Sequence, residues 1–123
     1  MYELMVEDYF SGAHNLREYN GNCEKLHGHN WKIRIVVCTD TLDSLDIGID
    51  FRDLKRHLKE VLDLMDHKYL NELDFFKKNN PTTENISKFI YTNLKDKLKK
   101  YKNSSLKKVI SWEEVDAGAA YYE

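Results

Sequence analysis

A chain of 123 residues lies within the usual span of one domain, long enough to bury a real core and too short for two of ordinary size. Its 19 basic and 21 acidic residues leave a net charge of −2, which gives no electrostatic reason to expect nucleic acid or an anionic membrane as partner and favours a small, polar metabolite. No apolar run could span a bilayer, and Met1 to Asp8 carry acid where a signal peptide would carry Lys or Arg, so the expected location is cytoplasmic.

The first predicted strand is marked by Tyr2, Leu4, Val6, Asp8 and Phe10 alternating with Glu3, Met5, Glu7 and Tyr9. A polar loop from Asn15 to Asn22, carrying Gly21, separates it from a second strand over His29 to Thr39, rich in β-branched residues. Helical spacing begins after Gly48-Ile49-Asp50-Phe51. Leu54, Leu58, Val61, Leu62 and Met65 form one apolar stripe, and Asp50 is placed to cap it. A second helix is predicted from Pro81-Thr82-Thr83-Glu84, where a threonine caps and the acid meets the positive end of the dipole. Ile86, Phe89, Ile90, Leu94 and Leu98 form its apolar face, and it ends before Asn103-Ser104-Ser105. Leu106 to Val115 and Ala119 to Tyr122 return to strand character around a turn at Asp116-Ala117-Gly118. The order β-β-α-α-β-β, without linker or repeat, predicts an α+β fold with residues 1–123 as a single domain. Its sheet is expected to be four-stranded and antiparallel, with two helices packed on one face. The other face then has no cover from this chain, which with eight tyrosines points to association with other copies.

The chemistry concentrates in Cys23-Glu24-Lys25-Leu26-His27-Gly28-His29, with His14 upstream. Residues two apart on a strand share a face, so His27 and His29 project together. His14, ending the first strand, reaches the same point if the two strands are neighbours. Three imidazoles with no obvious fourth protein ligand leave a position for water or substrate, the pattern of a catalytic zinc site, although histidine-only sites also suit other first-row metals. Cys23 is open to three roles: fourth ligand, structural thiol, or acid/base whose pKa falls beside a dication. Cys38, ending Ile33-Arg34-Ile35-Val36-Val37, reads as core, and no disulfide joins the two in a reducing compartment. His57, between Arg56 and Leu58, reads as an exposed helical histidine. Asp66-His67 offers a carboxylate beside a proton-carrying imidazole, though a helix-end histidine is the simpler reading of the dipeptide alone. Glu113 is either a carboxylate facing a pocket, able to accept hydrogen bonds from a guanidine-like edge, or an exposed strand residue.

The ordered set Phe10-Ser11-Gly12-Ala13-His14, Cys23 to Asn30, Ile49-Asp50-Phe51, Leu64-Met65-Asp66-His67, Pro81-Thr82-Thr83-Glu84-Asn85 and the tail from Glu113 to Tyr121 resembles the 6-pyruvoyltetrahydropterin synthase family, nearly end to end. The three residues between Cys23 and His27 are similar to the branch that forms 6-carboxy-5,6,7,8-tetrahydropterin in bacterial queuosine biosynthesis. The resemblance implies zinc held by His14, His27 and His29, a proton-abstracting Cys23, and an Asp66–His67 relay. It also implies a pterin ring held by Glu113 with Thr82 and Thr83 near it. It further implies the tunnelling fold, whose sheets join into barrels in a trimer, with two trimers stacked as a homo-hexamer and active sites between subunits. The implied reaction converts 7,8-dihydroneopterin triphosphate and water into 6-carboxytetrahydropterin, acetaldehyde and triphosphate. Two other readings are a synthase that keeps the three-carbon side chain as 6-pyruvoyltetrahydropterin, and a non-catalytic zinc or pterin-binding module. In this chain Glu114 follows Glu113, where family members often carry threonine. The lysines between Lys95 and Lys108 read as a solvated helix end rather than triphosphate ligands.

Overall fold

Alternating apolar residues make the two longest strands. In the computed structural model, which describes residues 1–19, 21 and 24–123, β1 runs Tyr2–His14 and β2 runs His27–Thr39. They pair antiparallel along their whole length, from Tyr2 opposite Thr39 to His14 opposite His27. Val6, Phe10 and His14 on β1, and Trp31, Ile33, Ile35 and Val37 on β2, are buried on one face, as a period of two requires. Phe10 and Trp31 stack there with ring centroids 5.1 Å apart.

Helix α1 spans Phe51–Leu62, and the Asp50 carboxylate accepts the Arg52 backbone N–H as the sequence led us to expect. The chain then forms β3 (Lys68–Tyr69), a 3₁₀ turn (Leu70–Glu72) and α2 (Asp74–Lys78). Helix α3 spans Thr83–Leu98, and the Thr82 hydroxyl caps it by accepting from the Asn85 N–H at 3.2 Å. Strands β4 (Ser104–Glu114) and β5 (Ala117–Tyr121) close the chain as a hairpin. Helices α1 and α3 cover the buried sheet face through Leu54, Leu58, Val61, Ile86, Ile90 and Leu94, all fully buried. Ser87 docks α3 on the hairpin, with its Oγ 2.7 Å from the Ser111 hydroxyl and donating to the Ala119 carbonyl at 2.8 Å. Among the described residues no helix is long and apolar enough to cross a membrane.

The structure corrects four expectations. The sheet has five strands in the order β3-β1-β2-β4-β5, and β3 runs parallel to β1, so it is mixed rather than four-stranded and antiparallel. Two residues are too few to carry an alternation, which is why β3 was invisible in the sequence. A short third helix, α2, lies between the two predicted ones; five residues are too few to show a helical stripe. His57 is only 5% exposed, its Nε2 3.1 Å from the Tyr101 hydroxyl. Cys38 is half-buried rather than core, because it falls on the strand face opposite Ile35 and Val37.

That opposite sheet face carries Met5 and Tyr9, both exposed, beside a polar cluster. Glu7 holds Lys32 at 3.3 Å and Arg34 at 2.6 Å, and both cations lie over the Trp112 ring. Neither α1 nor α3 covers it.

Candidate metal centre

The ends of β1 and β2 bring the histidines together. His14 and His27 are directly opposite in the ladder, and His29 follows two residues on, so all three side chains leave the core face above Trp31. The loop leaving His14 is tied down by Asn15. Its backbone N–H donates to the Asn71 side chain at 3.1 Å, and its side-chain oxygen accepts from the Tyr69 hydroxyl at 2.8 Å.

Backbone carbonyls set the tautomers. His14 Nδ1 lies 2.7 Å from the Pro81 carbonyl and His27 Nδ1 lies 2.8 Å from the Lys25 carbonyl. A carbonyl only accepts, so each Nδ1 carries the proton and each Nε2 presents a lone pair. Yet those two Nε2 atoms are 3.1 Å apart, and Glu113 Oε1 sits 3.3 Å from His14 Nε2 and 3.4 Å from His29 Nε2. His14, His27, His29 and Glu113 each offer one ligand atom within 4.8 Å of the others. Acceptors this close repel unless a cation or a proton lies among them, so the donor set fits a first-row divalent metal. The carbonyls behind His14 and His27 are the outer partners that such ligands need. Burial pushes the His14 imidazole below its usual pKa, which favours the neutral form a ligand requires.

Glu113 was expected at the pterin ring, and its approach to the histidines was not foreseen. The β4–β5 register shifts between Trp112 and Glu114, leaving Glu113 without a partner on β5. Such a bulge re-aims a side chain, here toward the histidines. Its carboxylate is still 32% exposed and also lines a cleft of about 590 Å³ with Tyr9, Asn30, Lys32 and Trp112. Glu114, the other carboxylate at this point, is exposed.

Asp66 and His67 lie on the far side of β1. Asp66 Oδ1 accepts the Ser11 N–H at 2.9 Å, and the His67 N–H donates back to the Ser11 carbonyl at 2.6 Å. This clamp fixes His67 in a left-handed conformation, φ 58°, with its Nδ1 3.0 Å from Asp66 Oδ2. The Ser11 N–H, and then the His67 ring, hold the Asp66 carboxyl below its usual pKa. The imidazole of His67 is 81% exposed and shares a cleft of about 500 Å³ with His29, Ser11 and Asn30. Thr82 and Thr83 open α3 immediately after Pro81, the residue whose carbonyl orients His14. Cys23 lies outside the described residues.

A model of the 6-pyruvoyl tetrahydropterin synthase family matches residues 3–123. The chain belongs to this family. Among curated members of the pterin synthase family, the chain is 34% identical over 101 residues to the 6-carboxy-5,6,7,8-tetrahydropterin synthase of Synechocystis sp., covering 78% of this chain and 77% of that one. It is 30% identical over 145 aligned positions to the protein of the same name from Haemophilus influenzae, covering both chains fully. The fold matches that of the Caenorhabditis elegans 6-pyruvoyl tetrahydropterin synthase with a TM-score of 0.85 at 24% identity, over 99% of this chain and 95% of that one.

Proposed function

We propose that this chain is a zinc-dependent 6-carboxy-5,6,7,8-tetrahydropterin synthase acting on 7,8-dihydroneopterin triphosphate, with product entering the queuosine route. The observation that carries the metal requirement is the convergence of three imidazoles, two of them with Nδ1 against a backbone carbonyl and Nε2 turned toward the common point. The carboxy-forming activity is supported by the relatives of that name and by the three-residue spacing between Cys23 and His27.

In this reading His14, His27 and His29 hold zinc, which when bound supplies positive charge to polarise substrate oxygens and stabilise the anion left by C–H deprotonation. Cys23 takes a carbon proton. His67, with Asp66 accepting at its Nδ1, moves a proton through its exposed Nε2. Glu113, reachable from its cleft, accepts paired hydrogen bonds from the aminopyrimidine edge, and Thr82 and Thr83 contact the ring beside it. A single pterin synthase domain in a homo-hexamer, two trimers deep, would bring the exposed His67 of one chain against another chain and cover Met5 and Tyr9.

The test is product identification. Zinc-loaded protein incubated with 7,8-dihydroneopterin triphosphate is expected to release acetaldehyde and accumulate 6-carboxytetrahydropterin. Accumulation of a 6-pyruvoyl product without acetaldehyde would assign the other synthase activity, and pterin binding without turnover would make the chain a binding module.

A further inference from the structure

We infer that the cleft lined by Arg17, Glu18, Lys77, Lys78 and Asn80, of about 480 Å³, binds the triphosphate of the substrate; this rests on the pterin-triphosphate reading above. The volume is in the ordinary range for a small-molecule subsite. Residues some sixty positions apart in sequence build it. Asn80 and Arg17 are stapled in both directions, the Arg17 N–H donating to Asn80 Oδ1 at 2.9 Å and the Asn80 amide donating to the Arg17 carbonyl at 3.0 Å. The Arg17 guanidinium donates through Nη2 to the Phe76 carbonyl at 2.5 Å, which orients the fork; among the described residues its other N–H groups have no side-chain partner.

The same staple sets the cleft beside the metal-capable group. Asn80 precedes Pro81, whose carbonyl bonds His14, and Arg17 is three residues beyond His14. Three residues of chain reach at most about 11 Å. A substrate with its side-chain hydroxyls at the histidines can therefore extend its phosphate ester into this cleft.

The charges favour a polyanion. Lys78 has no ion pair among the described residues. Lys77 is paired with Asp74 at 3.2 Å, but both side chains are exposed, so the pair is weak and the ammonium can turn to a more highly charged partner. Among the described residues Glu18 is the one carboxylate on the lining, beside three cations. The other lysine-rich segment is badly placed. Lys95, Lys97 and Lys99 lie at the far end of α3 from Pro81, along a helix roughly 24 Å long, and are paired with Glu123, Glu60 and Asp96.

The experiment compares wild type, Lys77→Glu/Lys78→Glu, Arg17→Lys and the control Lys99→Glu, all zinc-loaded. One arm is calorimetric titration with inorganic tripolyphosphate, and the other is steady-state kinetics with dihydroneopterin triphosphate. The double variant is expected to bind tripolyphosphate at least tenfold more weakly and to raise KM at least tenfold, with kcat changing less. Arg17→Lys keeps the charge but loses the fork, and should show an intermediate loss. Chelation by the metal is common to all four proteins, so the difference between them reads the cleft. Equal tripolyphosphate affinity in wild type and double variant, or an unchanged KM, overturns the proposal. If wild type does not turn over the pterin, the functional reading fails while the titration still decides whether the cleft takes triphosphate.

Discussion

Two buried histidines, His14 and His57, occupy opposite kinds of environment. His14 is 2% exposed and His57 5%, and burial pushes both imidazoles below their usual pKa. His14 has its Nδ1 fixed by a carbonyl and its Nε2 among the ligand atoms of His27, His29 and Glu113. Among the described residues His57 has one neutral partner, the Tyr101 hydroxyl, and a buried Nδ1 with none. Burial alone therefore does not make a ligand. Convergent ligand atoms held from behind are what a metal centre needs.

Removing one of the converging groups should have the largest effect. His27→Ala is expected to weaken zinc binding by more than the ~10–100-fold that loss of an outer partner costs, and to abolish turnover; equilibrium dialysis and the acetaldehyde assay check both. Next is the Asp66–His67 pair, which lies outside the metal cluster. Asp66→Asn keeps an oxygen for the Ser11 N–H, so the fold and zinc content should hold while kcat falls by about 10²- to 10⁴-fold. Zinc loss in that variant would mean that the two regions are not separate.

At the His57 end the effects should be on stability only. Tyr101→Phe leaves His57 Nε2 without its partner, and urea unfolding should show a loss of about 1–3 kcal/mol with zinc affinity unchanged. The pH dependence is smaller and has a definite sign. The folded-state pKa of His57 is depressed, by desolvation first and by Arg56 and Lys100 next, with Glu60 opposing. Between that value and the unfolded value near 6.5, the unfolded chain holds a proton that the native chain does not. The His57 contribution is thus fully present above about pH 6.5 and is lost as pH falls toward the folded-state pKa. His57→Gln should reduce the acid-side slope by up to ~1.4 kcal/mol per pH unit, and an unchanged slope would contradict a buried neutral imidazole.

The sequence was most readable where a short period decides geometry. His27 and His29 share a face because they are two apart, and His14 joins them because β1 and β2 pair end to end. Both helix caps were legible, since Asp50 and Thr82 sit immediately before apolar stripes. Glu113 was harder, because its aim depends on a bulge that exists only once β5 pairs with β4. His57 was harder to place because its neighbours Arg56 and Leu58 leave its helix face undecided, while its hydrogen-bond partner, Tyr101, arrives from beyond α3. The cationic cleft joins Arg17 to Lys78 across the fold, a proximity that no local pattern encodes.

The most direct test of the central claim is the zinc stoichiometry of purified wild type, His14→Ala and His57→Gln, measured by elemental analysis after dialysis against limiting zinc. One zinc per chain in wild type and His57→Gln, and none retained by His14→Ala, is the predicted result. Zinc absent from wild type, or retained by His14→Ala and lost from His57→Gln, would contradict it.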